Sequence, residues 1–239
     1  MTPFVIVQAR RGSSRLPDKV IAPLGESTVI DYVICRCGLS RAAGVVLATT
    51  TAERDAAVAE IAANLGIKVF RGSEPDVLAR YVGAAEMAGA QFILRVTADC
   101  PLIDPAAIDQ AIDAYADGID AIFVDGYPNG LGDVELVTFA ALREVLAITT
   151  PEETQYREHV TSYFAKNPDR FRVVTSTAPE DVRRPEIRLS VDEQPDLDVV
   201  RLVAAHFAPR FDFTSREIID FIDEHPEIAA MNRHVRQRR

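Results

Sequence analysis

The sequence predicts an α/β fold, a mostly parallel β-sheet with helices on both faces and a partly antiparallel insertion in its second half. Three observations lead there. Short β-branched runs alternate with helix-length patterns through the first half, the runs are apolar throughout rather than at every second position, and Gly, Pro, Asn and Asp punctuate the joins. A strand that is apolar on both faces is covered on both, as in the interior of a parallel sheet.

Phe4 to Val7 opens as a strand, and Thr28 to Leu39 follows as a helix. Val45 to Thr49 is a strand, Arg54 to Leu65 a helix, Ile67 to Phe70 a strand, and Asp76 to Met87 a helix stopped by Gly89. Phe92 to Thr97 is the next strand, and Pro105 to Ala116 a helix ending near Gly118. Proline at a first turn and glycine past a last turn are the expected boundaries. The alternation falters after Ile119 to Val124, where Asp125 to Asp133 is rich in turn residues. Beyond it, Val134 to Thr138 reads as a strand, and Phe139 to Ile148 and Glu152 to Ala165 as helices. Phe171 to Thr175 and Ile187 to Val191 are strand-like, and Pro195 to Phe207 and Ser215 to Glu224 close the chain as helices. The basic tail, Arg233 to Arg239, is expected to be a frayed, solvated end.

At 239 residues and 48% hydrophobic content, the chain is expected to form one domain, 1–239, with an insertion or dimerisation region at about 125–184. Its formal net charge of −10 argues against a nucleic-acid partner. No apolar run is long enough for a membrane span, and the order of the first residues, apolar then basic, is the reverse of a signal peptide. Three cysteines, two of them too closely spaced on one helix to pair, fit a reducing, cytoplasmic location.

Against this acidic background, Gln8 to Lys19 stands out. Ala9, Arg10, Arg11, Gly12, Ser13, Ser14, Arg15 and Lys19 place four cations, two hydroxyls and a glycine directly after the first strand. Guanidinium forks match phosphate oxygens in pairs, hydroxyls add donors, and glycine frees the backbone to turn its amides toward an anion. The segment is read as a loop that holds a polyphosphate, with Arg15 and Lys19 exposed enough that replacing them changes stability little. It lacks the Gly-Lys-Ser/Thr of a P-loop and the glycine spacing of a dinucleotide fingerprint.

Carboxylates fall where strands end. Asp99 follows Phe92 to Thr97, and Asp192 follows Ile187 to Val191. Magnesium in phosphate-transfer sites is held by one or two carboxylates together with substrate phosphates, so these two are the metal-ligand candidates; helix capping is the alternative for each. Arg71-Gly72-Ser73 lies at a third junction, where Ser73 with Asp76 also reads as a capping box. No Ser-His-Asp order or nucleophile elbow is present.

Gln8-Ala9-Arg10 through Arg15-Leu16-Pro17-x-Lys19, Phe70-Arg71-Gly72-Ser73, Asp99-Cys100-Pro101-Leu102-Ile103-Asp104, Gly132-Asp133-Val134-Glu135, Arg157-Glu158-His159-Val160-Thr161 and Leu189-Ser190-Val191-Asp192 occur in this order over nearly the whole chain. Together they resemble the cytidylyltransferase family of spore-coat polysaccharide synthesis proteins, which is similar to the CMP-sialic acid and CMP-Kdo synthetases with their nucleotide-diphospho-sugar transferase fold. The resemblance implies CTP on Ala9 to Arg15, with Lys19 on the phosphates and Arg71 beside them. It implies Mg2+ on Asp99 and Asp192, and Arg15, Lys19 and Asp99 as the catalytic groups. It further implies a small acidic, sugar-like acceptor near Arg71, Ser73, Asp133, Glu135 and His159, and a homodimer. Two positions depart from the pattern: Asp18 and Ala98 stand where glycine is expected. The competing readings are a nucleotidyltransferase of other base specificity and a catalytically silent nucleotide-binding protein.

Overall fold

The computed structural model describes residues 2–236. β1 (Pro3–Gln8) is followed by a small hairpin of β2 (Pro23–Leu24) and β3 (Ser27–Thr28), then by α1 (Val29–Cys37), β4 (Val45–Thr50), α2 (Ala56–Asn64), β5 (Lys68–Gly72), α3 (Val77–Ala88) and β6 (Phe92–Thr97). The second half runs α4 (Pro105–Asp113), β7 (Ala121–Asp125), β8 (Glu135–Thr138), α5 (Phe139–Ile148), α6 (Thr154–Glu158), α7 (Ser162–Lys166), β9 (Val173–Thr177), α8 (Gln194–Phe207), α9 (Ser215–Glu224) and α10 (Pro226–Ala230). Seven strands form one sheet in the order β5-β4-β1-β6-β8-β7-β9. β8 is antiparallel to both neighbours and every other pairing is parallel.

The strands are apolar throughout because each face of the sheet has its own core. Val5, Val7, Leu47, Leu94 and Val96 pack with α1, α4, α8 and α9 on one side. Ile6, Val46, Ala48 and Ile93 pack with α3, α5 and α7 on the other. Each fully buried aliphatic side chain contributes roughly 1.5–3 kcal/mol, so this two-sided burial anchors the central strands between the two helical layers. Helix ends follow local chemistry. Thr28 and Asp31 form a reciprocal capping box on α1, and Gly89, in the left-handed region, stops α3. Because β1, β4, β5 and β6 are parallel and adjacent, their C-terminal ends share one edge of the sheet, where ligands of such folds bind.

Three expectations change. Glu152 to Ala165 is two short helices, not one: Arg157 is anchored on Asp76 at 3.0 Å and on the end of α5, while Phe164 buries against Phe171, and these tertiary anchors override the local periodicity. Ile187 to Val191 does not join the sheet; it makes one isolated bridge, Arg188 to Asn129, and runs beside that loop. Its passage is backbone against backbone: a Cβ on Gly130, whose φ is +93°, would lie 2.6 Å from the Leu189 carbonyl carbon. The 125–184 region is partly antiparallel as expected, and contributes antiparallel β8 and parallel β9 to the main sheet. Of the tail expected to be frayed, residues 237–239 lie outside those described, whereas Asn232 and Val235 are buried.

Candidate active site

The loop after β1 continues the sheet for one residue, with Ala9 N–H donating to Ala48 O, and then turns outward. It closes through Ser13 N–H to Arg11 O at 2.8 Å and Asp18 N–H to Arg11 O at 3.2 Å. Asp18 has φ 61°, the left-handed conformation that explains why glycine is the expected residue there. Asp tolerates that region and returns a second benefit by accepting the Arg11 fork at 2.7 and 3.0 Å. Gly12 does not have a positive φ, contrary to the use expected of it; its constraint is space, since a Cβ would lie 3.1 Å from the Arg54 guanidinium.

A cleft of about 440 Å3 opens over this edge, and its lining includes Ala9, Arg10, Gly12, Ser13, Ser14, Arg15, Lys19, Asp99, His159 and Asp192. Gln8, Thr97 and Glu158 join them. Arg11 does not; its pair with Asp18 turns it away. Arg71 and Ser73 line neither this cleft nor the next: Arg71 donates to Thr50 O and Ala52 O, and Ser73 Oγ accepts the Asp76 N–H, bracing Asp76, which caps α3.

At the floor, Lys19 Nζ lies 3.1 Å from Asp99 Oδ2, 3.1 Å from Asp192 Oδ1 and 2.7 Å from Val191 O. Its side chain is only 12% exposed, so the expectation of an exposed lysine fails. Burial pushes the Lys19 ammonium down, but Asp99 and Asp192 outweigh it and the net shift is upward. Asp192 also meets Arg15 at 2.6 Å and Arg188 at 2.8 Å. Burial works to raise its carboxyl, yet Lys19, Arg188 and Arg15 together hold it below the usual carboxylate range. Neither aspartate caps a helix: Asp104 caps α4 and Glu193 caps α8. Asp99 is instead oriented by Thr97 Oγ1 at 2.6 Å. Two buried polar atoms of the lining residues, Gln8 Oε1 and Arg15 Nη1, have no partner.

A second cleft, of about 650 Å3, lies between β7, β8 and the α6–α7 turn, and Arg95, Asp125, Asp133, Glu135, His159 and Thr161 are among its lining residues. His159 is common to both clefts, held at their seam because Arg157 pins α6 to α3. Burial pushes the Asp133 carboxyl up to about 6; Asp99 and Glu135 add to the rise, and the Gly130 N–H opposes it. Arg95 is paired with Glu135 at 2.6 Å, so the one guanidinium among these lining residues is already neutralised. Among the described residues no group of three or more His, Cys, Asp or Glu encloses a metal site. The two-carboxylate floor fits the sort of site in which substrate phosphates complete the coordination.

A cytidylyltransferase family model matches residues 4–217. The chain belongs to the cytidylyltransferase family. It is 34% identical over 230 residues to the spore coat polysaccharide biosynthesis protein SpsF of Bacillus subtilis, covering 94% of this chain and 95% of that one. A solved cytidylyltransferase from Leptospira borgpetersenii superposes with a TM-score of 0.88 at 30% identity, covering 96% of this chain and 97% of the other. CMP:2-keto-3-deoxy-manno-octonic acid synthetase, solved with CTP, superposes with a TM-score of 0.64 at 16% identity over 86% of this chain and 99% of that one, a likeness of fold alone. The nucleotidyltransferase-like fold read from the sequence is thus the fold of this family member, and no helix among its described residues is long and apolar enough to cross a membrane.

Proposed function

We propose that the chain transfers CMP from CTP, with Mg2+, to an oxygen of a small acidic, sugar-like acceptor and releases pyrophosphate. The observation that carries this is the convergence of Arg15, Lys19, Asp99 and Asp192 on one cleft whose wall is the cation-rich loop. In this reading Arg10, Arg15 and Lys19 bind the triphosphate, Ser13 and Ser14 add donors, and Asp99 and Asp192 hold the cation. That ion would supply neutralisation of the charge that builds on the departing pyrophosphate. The acceptor occupies the second cleft, and the new bond to the α-phosphorus forms at the seam marked by His159 as the bond to the β-phosphate oxygen breaks. The protein's contribution is alignment and electrostatic stabilisation rather than covalent catalysis.

Thermal unfolding with each nucleoside triphosphate and Mg2+ at equal concentration tests the base assignment, since selective binding to the folded state raises its Tm. CTP is expected to give the largest shift. An equal or larger shift with UTP, GTP or ATP moves the chain to another base specificity, and no shift with any of them supports a different role altogether.

A further inference from the structure

Asp192 owes its orientation to Arg188 and Asp196, four residues to either side of it, and to Asn232, farther along the chain. Arg188 forks onto Asp196, Nε to Oδ1 at 2.8 Å and Nη2 to Oδ2 at 3.1 Å, and shares Nη2 with Asp192 Oδ2 at 2.8 Å. Asp196 is fully buried and accepts further from the backbone N–H groups of Asp192 and Glu193, each at 3.0 Å. Asn232, 2% exposed and just past α10, donates through one amide nitrogen to Asp196 Oδ1 at 2.9 Å and to the Arg188 carbonyl at 3.0 Å. One side chain therefore references both the backbone of Arg188 and the carboxylate that aims its guanidinium.

The consequence concerns which oxygen faces the cleft. Arg188 occupies Asp192 Oδ2, leaving Oδ1 turned to Lys19 and Arg15. A hard cation needs a ligand oxygen held in place, and the groups that orient a ligating carboxylate commonly set metal affinity as strongly as the ligand's identity. We infer that Asn232 is a positioning residue for the metal-binding carboxylate Asp192, acting through Asp196 and Arg188, so that the segment after α10 completes the site. Asn232 lies beyond residue 217, outside the stretch that the family model matches. The inference rests on the proposed role of Asp192 and adds a residue that no sequence motif singles out.

The test is Mn2+ binding to the full chain saturated with CTP, read by water-proton relaxation, with CTP affinity measured separately without metal. Asn232→Leu keeps the number and branching of side-chain heavy atoms and removes both hydrogen bonds, whereas Asn232→Ala also opens a cavity. Both are expected to weaken Mn2+ binding about 10- to 100-fold and leave metal-free CTP affinity unchanged. Loss in Asn232→Ala with wild-type affinity in Asn232→Leu means that packing alone matters and overturns the inference. Should Asn232→Leu fail to fold, Arg188→Lys decides. It keeps the charge beside Asp192 and loses the fork, so a similar loss supports the network and wild-type affinity refutes it. Wild-type protein that binds no Mn2+ in the presence of CTP sinks the nucleotide-metal reading and this inference with it; normal binding in every variant sinks this inference alone.

Discussion

Replacing Lys19 by Met keeps the apolar stem and removes the ammonium from between Asp99 and Asp192. At 3.1 Å and an effective dielectric of about 20, each carboxylate attracts the ammonium by about 5 kcal/mol before desolvation is subtracted. Desolvation takes back several kcal/mol, and breaking a buried pair typically costs 3–5 kcal/mol net. Arg15 and Arg188 continue to neutralise Asp192, so the low end applies, about 3 kcal/mol, or a Tm lower by roughly 6–12 °C for a chain of this size. The variant should also respond to a cation that the wild type resists. With the ammonium gone, Mn2+ without nucleotide gains Asp99, now without an ion-pair partner, beside the Arg-paired Asp192, and raises the Tm of Lys19→Met more than that of the wild type. Scanning calorimetry with and without Mn2+ measures both effects. A variant within 2 °C of wild type, or equal Mn2+ responses, refutes the reasoning.

Asp99→Asn and Asp192→Asn should each lower turnover by orders of magnitude, and the double variant should be hardly worse than either, because groups that act as a unit are not additive; a product of the two single losses in steady-state rates argues against shared function. Asp133, raised from 3.8 to about 6, holds a proton in the folded state that the unfolded state has released, so its contribution to stability is present below about pH 4 and is lost as pH rises through 6. Urea unfolding should show Asp133→Asn gaining about 2–3 kcal/mol on the wild type between pH 4 and 7, and parallel curves contradict the shift. The chain is expected to be a homodimer through the 125–184 region, whose β9 forms a free sheet edge; a monomer mass by light scattering counts against it.

The sequence exposed what local chemistry determines. Phe139 to Ile148 and Ser215 to Glu224 have the helix bounds read from the sequence, where Thr138 and Thr214 cap their first turns, and the runs on β1, β4 and β6 announced a sheet buried on both faces. The cationic loop was legible because its composition contradicts the rest of the chain. What long-range contacts decide stayed hidden. Ile187 to Val191 has strand composition, yet the Gly130 loop captures it instead of the sheet. Lys19 reads as an exposed loop cation until Asp99 and Asp192, 80 and 173 residues away, close around it. Arg71 and Ser73 carry family-like spacing but spend their polar atoms on nearby backbone. Arg188 and Asp196 stand four residues to either side of Asp192, a spacing that could have flagged them; nothing local marks Asn232.

A crystal structure of the chain with CTP and Mn2+ tests the central claim most directly, using the anomalous signal of the metal to locate it without bias. The account predicts Mn2+ between the carboxylates of Asp99 and Asp192, the triphosphate along residues 9–19, and Lys19 displaced from the floor onto phosphate oxygens. Metal bound away from both aspartates, or a triphosphate that leaves Arg15 and Lys19 untouched, would contradict it.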